Sequence, residues 1–365
     1  MKGLFLKEFE VRGKRFLVPL LATPFKVRPS SMPVLDNNSS VLFLRHDRIG
    51  DMIISTGIFS MLKKKFPDIR IGVIASSRNA MIIEGSPDVD ALYVYDKRPM
   101  AMAALVRSIR KARYSFVVNL VLYSSLTGGL LAALSAGSWA FRMRMTMGDD
   151  LDFFYHRNCR KTIWGNATRT MLEETAAMAG ELGVTYTTEE VRPVLRIPQD
   201  LLEQARAWRV GLGPGPVIGV NLASGVPERE APAVLWKGII ELFSAQHPSA
   251  RFILLTPPHG NVFEQLKILG IPACAQENPP HQGIMGAAAL IATMDAVVSA
   301  DTAIPHICSA LNIPVLVLYH CVENSVLWAP FGVRHIKVVS PAPGHNAQDP
   351  GRIAGPLASL LVHAT

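Results

Sequence analysis

The chain reads Val41-Leu-Phe-Leu-Arg-His-Asp-Arg-Ile-Gly50-Asp51-Met-Ile-Ile54, an apolar strand that leads through Arg-Ile-Gly-Asp into an apolar-periodic helix. Such a turn joins the carboxyl end of a strand to the positive end of a helix, where open α/β sheets bind their ligands. Gly50 lets the backbone approach a ligand closely, and the free helix amides favour anions such as phosphates. The Asp51 carboxylate would repel a phosphate. It is therefore predicted to take a proton from a neutral substrate that lies beside one.

Short aliphatic strands alternate with amphipathic helices from this turn onward. Strands are predicted at 41–44, 69–75, 91–95, 115–122, 217–221, 251–256, 296–299 and 315–319, and the main helices at 53–66, 100–112, 167–182, 233–246, 261–269 and 285–294. Strands separated by helices of this length indicate βαβ units and a mainly parallel sheet. The sequence thus predicts an α/β protein with two doubly wound domains in tandem.

Four segments are predicted along the chain: an N-terminal extension at 1–39, a Rossmann-like domain at 40–210, a second one at 211–340, and a C-terminal helix at 341–365 that packs back on the N-terminal domain. The central boundary rests on the Pro/Gly-rich run Gly211-Leu-Gly-Pro-Gly-Pro216. The extension mixes cations with short apolar runs. It is predicted either to rest on a membrane surface or to be a disordered or packing appendage.

Composition restricts the classes of protein and of partner. The 365 residues are 49% hydrophobic and 18% charged, yet no run of 18 apolar residues predicts a membrane-spanning helix. The net charge of +8 favours nucleic acid, anionic lipid headgroups or phosphorylated substrates. Nucleic acid is not expected, since no recognised binding module is present. The four cysteines show no CxxC spacing, which indicates reduced thiols in a cytoplasmic protein.

A second strand end with polar residues lies at Val297-Val-Ser-Ala-Asp301-Thr302-Ala-Ile-Pro305-His306. Asp301 or Thr302 can cap the helix that starts near Pro305, and the free amides of that helix form an anion site. His306 lies in the first turn and could reach the same anion. A purely structural role for the histidine remains open on these grounds.

A third polar strand end is Val220-Asn-Leu-Ala-Ser224-Gly225-Val-Pro-Glu-Arg229. Ser224 and the Gly225 backbone can hydrogen-bond phosphate oxygens, and Arg229 can neutralise them. An ordinary loop is the alternative. Together with the previous motif, this segment suggests that the second domain holds a phosphorylated donor while the first activates an acceptor.

The stretch 139–166 interrupts the alternation and combines Arg142, Arg144, Arg160 and Lys161 with several aromatic side chains. A basic, aromatic insertion on such a scaffold often forms part of a binding surface; a solvated loop with core aromatics is the alternative. The sequence shows no cluster with metal-ligand spacing, no dinucleotide fingerprint and no Walker A motif. Neither a metal nor a cofactor is therefore predicted.

These motifs resemble a known family. Arg45-His-Asp-Arg-Ile-Gly-Asp51-Met-Ile-Ile54, with Phe66-Pro-Asp68 after the helix, is similar to the start of the lipopolysaccharide heptosyltransferases, glycosyltransferase family nine. The segment 299–319 and Trp328-Ala-Pro-Phe-Gly332 resemble that family's carboxy-terminal signature. The resemblance covers about residues 40–360. It implies a GT-B fold, with two Rossmann-like domains facing a central cleft, and an inverting, metal-independent transfer from a donor of the ADP-heptose type.

The resemblance also implies roles for particular residues. Asp51 matches the general base that deprotonates the acceptor hydroxyl, and Asp301 matches the residue that contacts the donor sugar. Thr302 and His306 match positions beside the diphosphate, and Ser224 matches the donor loop. An inverting displacement needs one base, a stabilised leaving diphosphate and a closed site, which agrees with these assignments.

Two positions depart from the family pattern. Ala303 stands where the family usually has Gly after Asp-Thr, and Arg229 stands near the place of the donor-loop lysine. Arginine keeps the charge but changes the geometry. Two alternatives follow: a GT-B protein that uses another nucleotide sugar, as a UDP-sugar transferase or epimerase, and a catalytically decayed sugar-nucleotide-binding protein.

The predicted acceptor is a phosphorylated glycolipid at the membrane. The basic stretch and the apolar N-terminus suit such an acceptor, so Gly50, Arg142, Arg144, Arg160 and Lys161 are predicted to bind it. The protein is expected on the cytoplasmic face of the inner membrane, as a peripheral enzyme that moves heptose from ADP-heptose to the lipopolysaccharide inner core.

Overall fold

The structure, a computed structural model, describes residues 22–361 except 124, 147–149, 161–167, 223, 225, 227–228, 257–260, 282 and 343. The chain divides into two compact units. The first unit comprises Met1–Asn166 and Glu174–Val191, and the second comprises Ala167–Glu173 and Arg192–Thr365.

The first unit is built on a six-stranded parallel sheet of order β3-β2-β1-β4-β5-β6. Its strands are β1 (Ser40–Leu44), β2 (Arg70–Ser76), β3 (Ala91–Tyr95), β4 (Phe116–Asn119), β5 (Phe141–Thr146) and β6 (Arg157–Arg160). The helices that follow these strands are α1 (Ile49–Lys65), α2 (Pro99–Ala112) and α3 (Leu126–Ser135), and α4 (Met171–Glu181) begins in the second unit and ends in the first.

The second unit repeats this arrangement with the order β12-β11-β10-β7-β8-β9. Its strands are β7 (Val217–Asn221), β8 (Arg251–Leu255), β9 (Ala275–Glu277), β10 (Ala296–Ala300), β11 (Val315–Tyr319) and β12 (His335–Val339). Its helices are α5 (Gln199–Val210), α6 (Ala233–Gln246), α7 (Asn261–Leu269), α8 (Gly283–Ile291), α9 (Ile304–Leu311), α10 (Val322–Leu327) and α11 (Gly351–Leu361).

Counted from its own first strand, each sheet has the order 3-2-1-4-5-6 of a doubly wound fold. The strand order reverses between β1 and β4 in the first unit and between β7 and β10 in the second. Ligands of such sheets bind in the crevice outside the carboxyl ends of the two strands at the reversal. Each unit therefore has one expected binding crevice.

The central helix of the first unit, α1, is buried without interruption from Asp51 to Leu62. A helix that is apolar all round packs inside a domain and not on its surface. Apart from Asp51 in the first turn, its charged residues are Lys63 to Lys65 in the last turn, where cations complement the negative end of the helix dipole. This burial fixes the position of Asp51 relative to the sheet.

The sequence predicted most strands and helices of the two sheets, with shifted ends. Helix α1 begins at Ile49 and not at residue 53, so Gly50 and Asp51 lie inside its first turn. The stretch 139–166 is not an insertion into the scaffold, since β5 pairs in parallel with β4, β6 pairs in parallel with β5, and both continue the sheet. Its aromatic residues Phe154 and Tyr155 are buried in the core of the first unit, which explains their number.

Two predicted domain limits are wrong. The main segment of the second unit starts at Arg192, and α5 packs on α8, so the Pro/Gly-rich run after α5 lies inside that unit. Helix α11, which was predicted to pack back on the N-terminal domain, packs on α6, and its Ile353 and Leu357 belong to the core of the second unit. In the extension, residues 1–21 lie outside the described residues, and the Phe25 ring lies 5.9 Å from that of Phe154.

Among the described residues, none of the helices combines the length and the hydropathy that a bilayer crossing requires.

Candidate active site

At the first strand reversal lies the side chain of Arg45, which follows β1 directly and is fully buried. Its Nε atom donates to the Asp51 carbonyl oxygen at 3.1 Å and to Ser55 Oγ at 2.9 Å. Its Nη1 atom donates to the carbonyl oxygen of Leu120, just after β4, and to Asp47 Oδ2 at 3.3 Å. One guanidinium therefore ties together β1, α1 and the end of β4.

The Asp51 carboxylate lies in the first turn of α1 and is 4% exposed. Arg45 Nη2 lies 3.4 Å from Asp51 Oδ1, but neither atom has a hydrogen-bond partner among the described residues. Burial raises the pKa of Asp51 to about 7, although the cations of Arg45 and Arg48 oppose that rise. A carboxylate with a pKa near the working pH is suited to general-base catalysis.

The turn that carries Asp51 is held from outside by Asn79, which is completely buried. Its Nδ2 atom donates to the Arg45 carbonyl oxygen at 2.9 Å, while its Oδ1 atom accepts from the backbone N–H of Ser76 at 2.8 Å. Neither Arg45 nor Asn79 was predicted as a site residue. An arginine directly after four apolar strand residues was a usable sequence signal for Arg45, whereas no local pattern marked Asn79.

In the second unit, hydrogen bonds join the ends of β7 and β10. Asn221 Nδ2 donates to Ser299 Oγ at 2.9 Å and to Thr302 Oγ1 at 3.0 Å. Thr302 Oγ1 also accepts from the backbone N–H of Ile304 at 3.3 Å, at the start of α9. Thr302 therefore hydrogen-bonds the first residue of α9, whereas the N-cap position itself is Ala303 and has no side-chain cap bond. Asn221, which was not predicted, links the two strands at the reversal.

Asp301 is buried just after β10, and its carboxylate contacts one amide and one guanidinium. Its Oδ2 atom accepts from Asn324 Nδ2 at 2.7 Å and lies 3.0 Å from Arg229 Nη1. The structure therefore brings Asp301 and Arg229 together, although 72 residues separate them in the chain. Asn324, on α10, was missed by the sequence analysis because no local pattern marks it.

His306 lies in the first turn of α9 and is 5% exposed. Its ring centroid is 6.2 Å from that of Trp328, the first residue of the predicted carboxy-terminal motif. Burial lowers the pKa of His306 to about 4, so the imidazole is neutral at pH 7. It can then donate a hydrogen bond to an anion, but it carries no charge.

Ala303, where the family pattern has glycine, is the N-cap of α9 with φ −72° and ψ −21°. These angles lie in the right-handed region that every L-residue adopts without strain. The backbone beside Asp301 and Thr302 therefore does not require glycine, and the alanine leaves the helix start intact.

One predicted donor-loop residue, Ser224, is engaged within its own loop. Ser224 Oγ donates to the Val226 carbonyl oxygen at 2.7 Å and accepts from the Val226 N–H at 3.2 Å, so it closes a turn of its own loop. Gly225 lies outside the described residues. Ser224 consequently shapes the loop before Arg229, and its hydroxyl is already engaged.

The predicted acceptor cations are not gathered into a cluster in the described structure. Arg144 is buried beside Asp152 and Tyr155, and its Nε atom donates to Asn158 Oδ1 at 2.6 Å. Arg142 reaches the Phe25 carbonyl oxygen at 3.5 Å. Both side chains therefore stabilise the edge of the first sheet. The side chain of Arg160 and the whole of Lys161 lie outside the described residues.

The described residues contain no group of three or more His, Cys, Asp or Glu side chains that could hold a metal ion.

Comparison with known proteins supports this reading of the fold and the motifs. Residues 102–349 match the sequence model of glycosyltransferase family 9 (heptosyltransferase). The lipopolysaccharide heptosyltransferase 3 of Escherichia coli is 22% identical over 305 residues, which cover 77% of this chain and 83% of that protein.

Two solved structures share the fold. A glycosyl transferase family 9 protein from Veillonella parvula has a TM-score of 0.77 at 18% identity and covers 92% of this chain and 100% of its own. The E. coli ADP-heptose lps heptosyltransferase II has a TM-score of 0.69 at 17% identity and covers 88% of this chain and 98% of its own.

Two six-stranded parallel sheets with flanking helices, each with its strand reversal lined by polar side chains, define an α/β protein with the two-domain GT-B fold. The prediction of the fold class is confirmed. The chain belongs to glycosyltransferase family 9, the heptosyltransferase family, and is a glycosyltransferase.

Proposed function

We propose that this enzyme transfers heptose from ADP-heptose to the lipopolysaccharide inner core, with Asp51 as the general base. The observation that carries the proposal is the buried Asp51 carboxylate at the strand reversal, whose pKa burial raises to about 7. Ordinary surface carboxylates are too weak as bases to accept a hydroxyl proton efficiently.

In the proposed reaction, Asp51 accepts the proton of an acceptor hydroxyl as that oxygen attacks the anomeric carbon of the donor. The bond between this carbon and the diphosphate oxygen breaks on the opposite face, so the configuration inverts and ADP leaves. Arg45 increases the fraction of Asp51 that is ionised and can accept a proton, because its cation opposes the rise in pKa that burial causes. The short contacts of Arg45 also fix the helix turn that carries the base.

The donor is proposed to bind at the second strand reversal. The start of α9, with Thr302 and the neutral His306, would receive the diphosphate. Arg229 would neutralise it, and its ion pair with Asp301 at 3.0 Å holds the cation in place beforehand. Asp301 would accept hydrogen bonds from hydroxyl groups of the sugar. The name of the structurally similar heptosyltransferase II supports ADP-heptose as the donor.

The acceptor is proposed to be a phosphorylated glycolipid reached from the cytoplasmic face of the inner membrane. The net charge of +8 and the function in the name of the E. coli relative support this assignment. Gly50 directly precedes Asp51 in the first turn of α1 and is proposed to lie beside the acceptor.

The base assignment is tested with Asp51→Asn, which keeps the shape and removes the base. We expect kcat to fall by about 10²- to 10⁴-fold, the usual contribution of a general base. The donor Kd, measured by calorimetry with ADP-heptose, should change less than about threefold, because the donor binds in the other unit. Asp68→Asn is the control: it removes an exposed carboxylate shortly after the same helix and should retain most of the activity.

The donor nucleotide is tested by thermal shift with ADP, UDP, GDP and CMP. A rise in Tm with ADP alone supports the adenine-nucleotide donor, since a ligand that binds only the native state raises stability. A larger shift with UDP would replace the proposed donor by a UDP-sugar, and no shift with any nucleotide would indicate a decayed site.

A further inference from the structure

A groove on the first unit is lined by residues other than those described at the two strand reversals. It runs between α2 and the end of α3 and has a volume of about 720 Å³. Its apolar wall is formed by Pro99, Met102, Ala103, Val106 and Leu134. Three cations, Arg107, Arg110 and Lys111, line the same groove.

Helix α2 is unusual because only one of its residues, Ile109, is buried. The helix contains no acidic residue, and Met100 at its start is 88% exposed. An amphipathic helix with cations on its polar face and apolar groups beside them is typical of segments that lie in the plane of a membrane surface.

The three groove cations have no ionic or hydrogen-bonding partner among the described residues. Among the described residues, Arg107, Arg110 and Lys111 form no ion pair and donate no side-chain hydrogen bond. By contrast, Arg98 at the other end of the helix is paired with Asp96 at 2.6 Å. Unpaired cations around an apolar groove match a ligand that has an anionic head and an apolar tail.

Trp139 extends this surface beside the last turn of α2. Its side chain is 43% exposed, and the guanidinium of Arg113 lies 4.6 Å from the centre of its ring. Tryptophan is enriched at membrane surfaces because its ring is apolar and its N–H is polar. Trp139 therefore adds an exposed apolar ring to the surface, next to the Arg113 cation.

We infer that the α2 surface, made of α2, Leu134 and Trp139, docks the enzyme on anionic phospholipid, with headgroup phosphates on the three cations and acyl chain in the groove. This inference rests on the proposed function, which places the acceptor in a membrane, and it names the surface that meets the bilayer. A second copy of the chain is a poorer occupant, because two such cationic faces repel each other.

The test uses the full-length protein and vesicles of phosphatidylglycerol mixed with phosphatidylcholine, without donor or acceptor. We expect the protein to sediment with these vesicles, to stay in solution with pure phosphatidylcholine, and to be released by salt. Arg107→Gln, Arg110→Gln and Lys111→Gln combined should weaken partitioning by about 100-fold, since each cation near an anionic surface contributes a few-fold to tenfold.

The matched control removes the same charge elsewhere. Arg206→Gln, Arg251→Gln and Lys337→Gln change exposed cations of the second unit and should alter vesicle binding less than about threefold. Equal binding by the two triple variants, or undiminished binding by the α2 variant, would overturn the inference. Loss of self-association in sedimentation velocity, with vesicle binding intact, would assign the surface to a second copy and also overturn it.

A second pair of variants tests the groove itself. Ala103→Glu places a carboxylate in the groove, whereas Ala104→Glu places it on the adjacent exposed position outside the groove lining. We expect the first to weaken vesicle binding at least tenfold more than the second. Both variants should transfer sugar normally to an acceptor dispersed in detergent. If the native protein bound vesicles but transferred no sugar, the proposed function would be rejected and the inferred docking surface would still be supported.

Discussion

At the scale of single residues, Arg45 and Asp51 form a buried pair with opposing effects. Burial favours the neutral carboxyl, and the guanidinium favours the carboxylate. The balance leaves a base that is weaker than an isolated buried aspartate and stronger than a surface one. Two predictions follow from this balance, and a third concerns the arginine of the second unit.

Replacing Arg45 should change the pH dependence of the reaction. In Arg45→Met the guanidinium no longer lowers the pKa of Asp51, so the acid limb of the kcat profile should move to higher pH by a unit or more. Arg45→Lys retains the cation and should keep the limb near its original position. A profile of Arg45→Met that coincides with that of the native enzyme would contradict the role of the guanidinium.

Asp51 should also affect stability with a definite sign. Its pKa is higher in the folded than in the unfolded protein, so the folded state binds the proton more tightly and loses this advantage as pH rises through about 7. The Tm of the native protein, measured relative to that of Asp51→Asn, is expected to fall between pH 5 and pH 8. Asp68→Asn changes an exposed carboxylate and should show no such trend. A pH-independent difference for Asp51→Asn would show that the carboxyl titrates in its ordinary range.

Arg229 is expected to act on donor affinity. Arg229→Ala should raise the donor KM at least tenfold, since a charge-assisted contact to the diphosphate is lost. Arg229→Lys should recover part of the affinity, because lysine keeps the charge without the bidentate geometry. Steady-state kinetics at varied donor concentration provide the measurement. An unchanged KM in the alanine variant would remove Arg229 from the donor site.

At the scale of elements, α3 depends on a glycine that helix propensity alone would disfavour. A Cβ atom at Gly129 would lie 2.5 Å from the ring of Phe154, so the helix and the ring approach each other through the missing side chain. Helix α3 is absent from the helices predicted from the sequence, and the pair Gly128-Gly129 has low helix propensity. The requirement arises from a ring 25 positions away, which no local pattern reveals.

Gly129→Ala is therefore expected to destabilise the protein by about 1–3 kcal/mol, the usual cost of overpacking. Gly180→Ala provides the control: its Cβ atom would meet only Tyr186 at 3.6 Å, an ordinary contact, and alanine should stabilise α4 by about 0.5–1 kcal/mol. Urea unfolding of both variants gives the two free energies. A higher free energy of unfolding for Gly129→Ala than for the native protein would show that Phe154 moves aside without cost.

At the scale of the whole molecule, the two sheets have the same strand order, and the sequence predicted most of their strands. The alternation of aliphatic strands and helices was sufficient because parallel strands buried on both faces have a continuous apolar pattern. The edge strand β6, with the sequence Arg157-Asn-Cys-Arg160, lacks that pattern and was read as part of a basic insertion. Polar residues after strands indicated Asp51, Asp301 and Thr302. Asn324, the partner of Asp301, and Asn79, which binds the Arg45 carbonyl oxygen, come from distant parts of the chain and depend on folding.

The assignment of α11 to the second unit gives a prediction about cooperative unfolding. Leu357 is fully buried in the core of that unit, so Leu357→Ala should cost about 2–5 kcal/mol. Hydrogen exchange of the variant should show protection lost in β7, β8 and β10, with less change in β1 and β2. Loss of protection confined to the first unit would contradict the assignment of α11 to the core of the second unit.

The arginine that ties β1 to the end of β4 has a further consequence for inhibitors. A sheet of this order ordinarily offers its crevice to a nucleotide, yet in the first unit a fully buried guanidinium already occupies the ends of the two central strands. Nucleotide mimics should therefore saturate at one per chain, and compounds directed at the first unit will need a chemistry that is not built on adenosine.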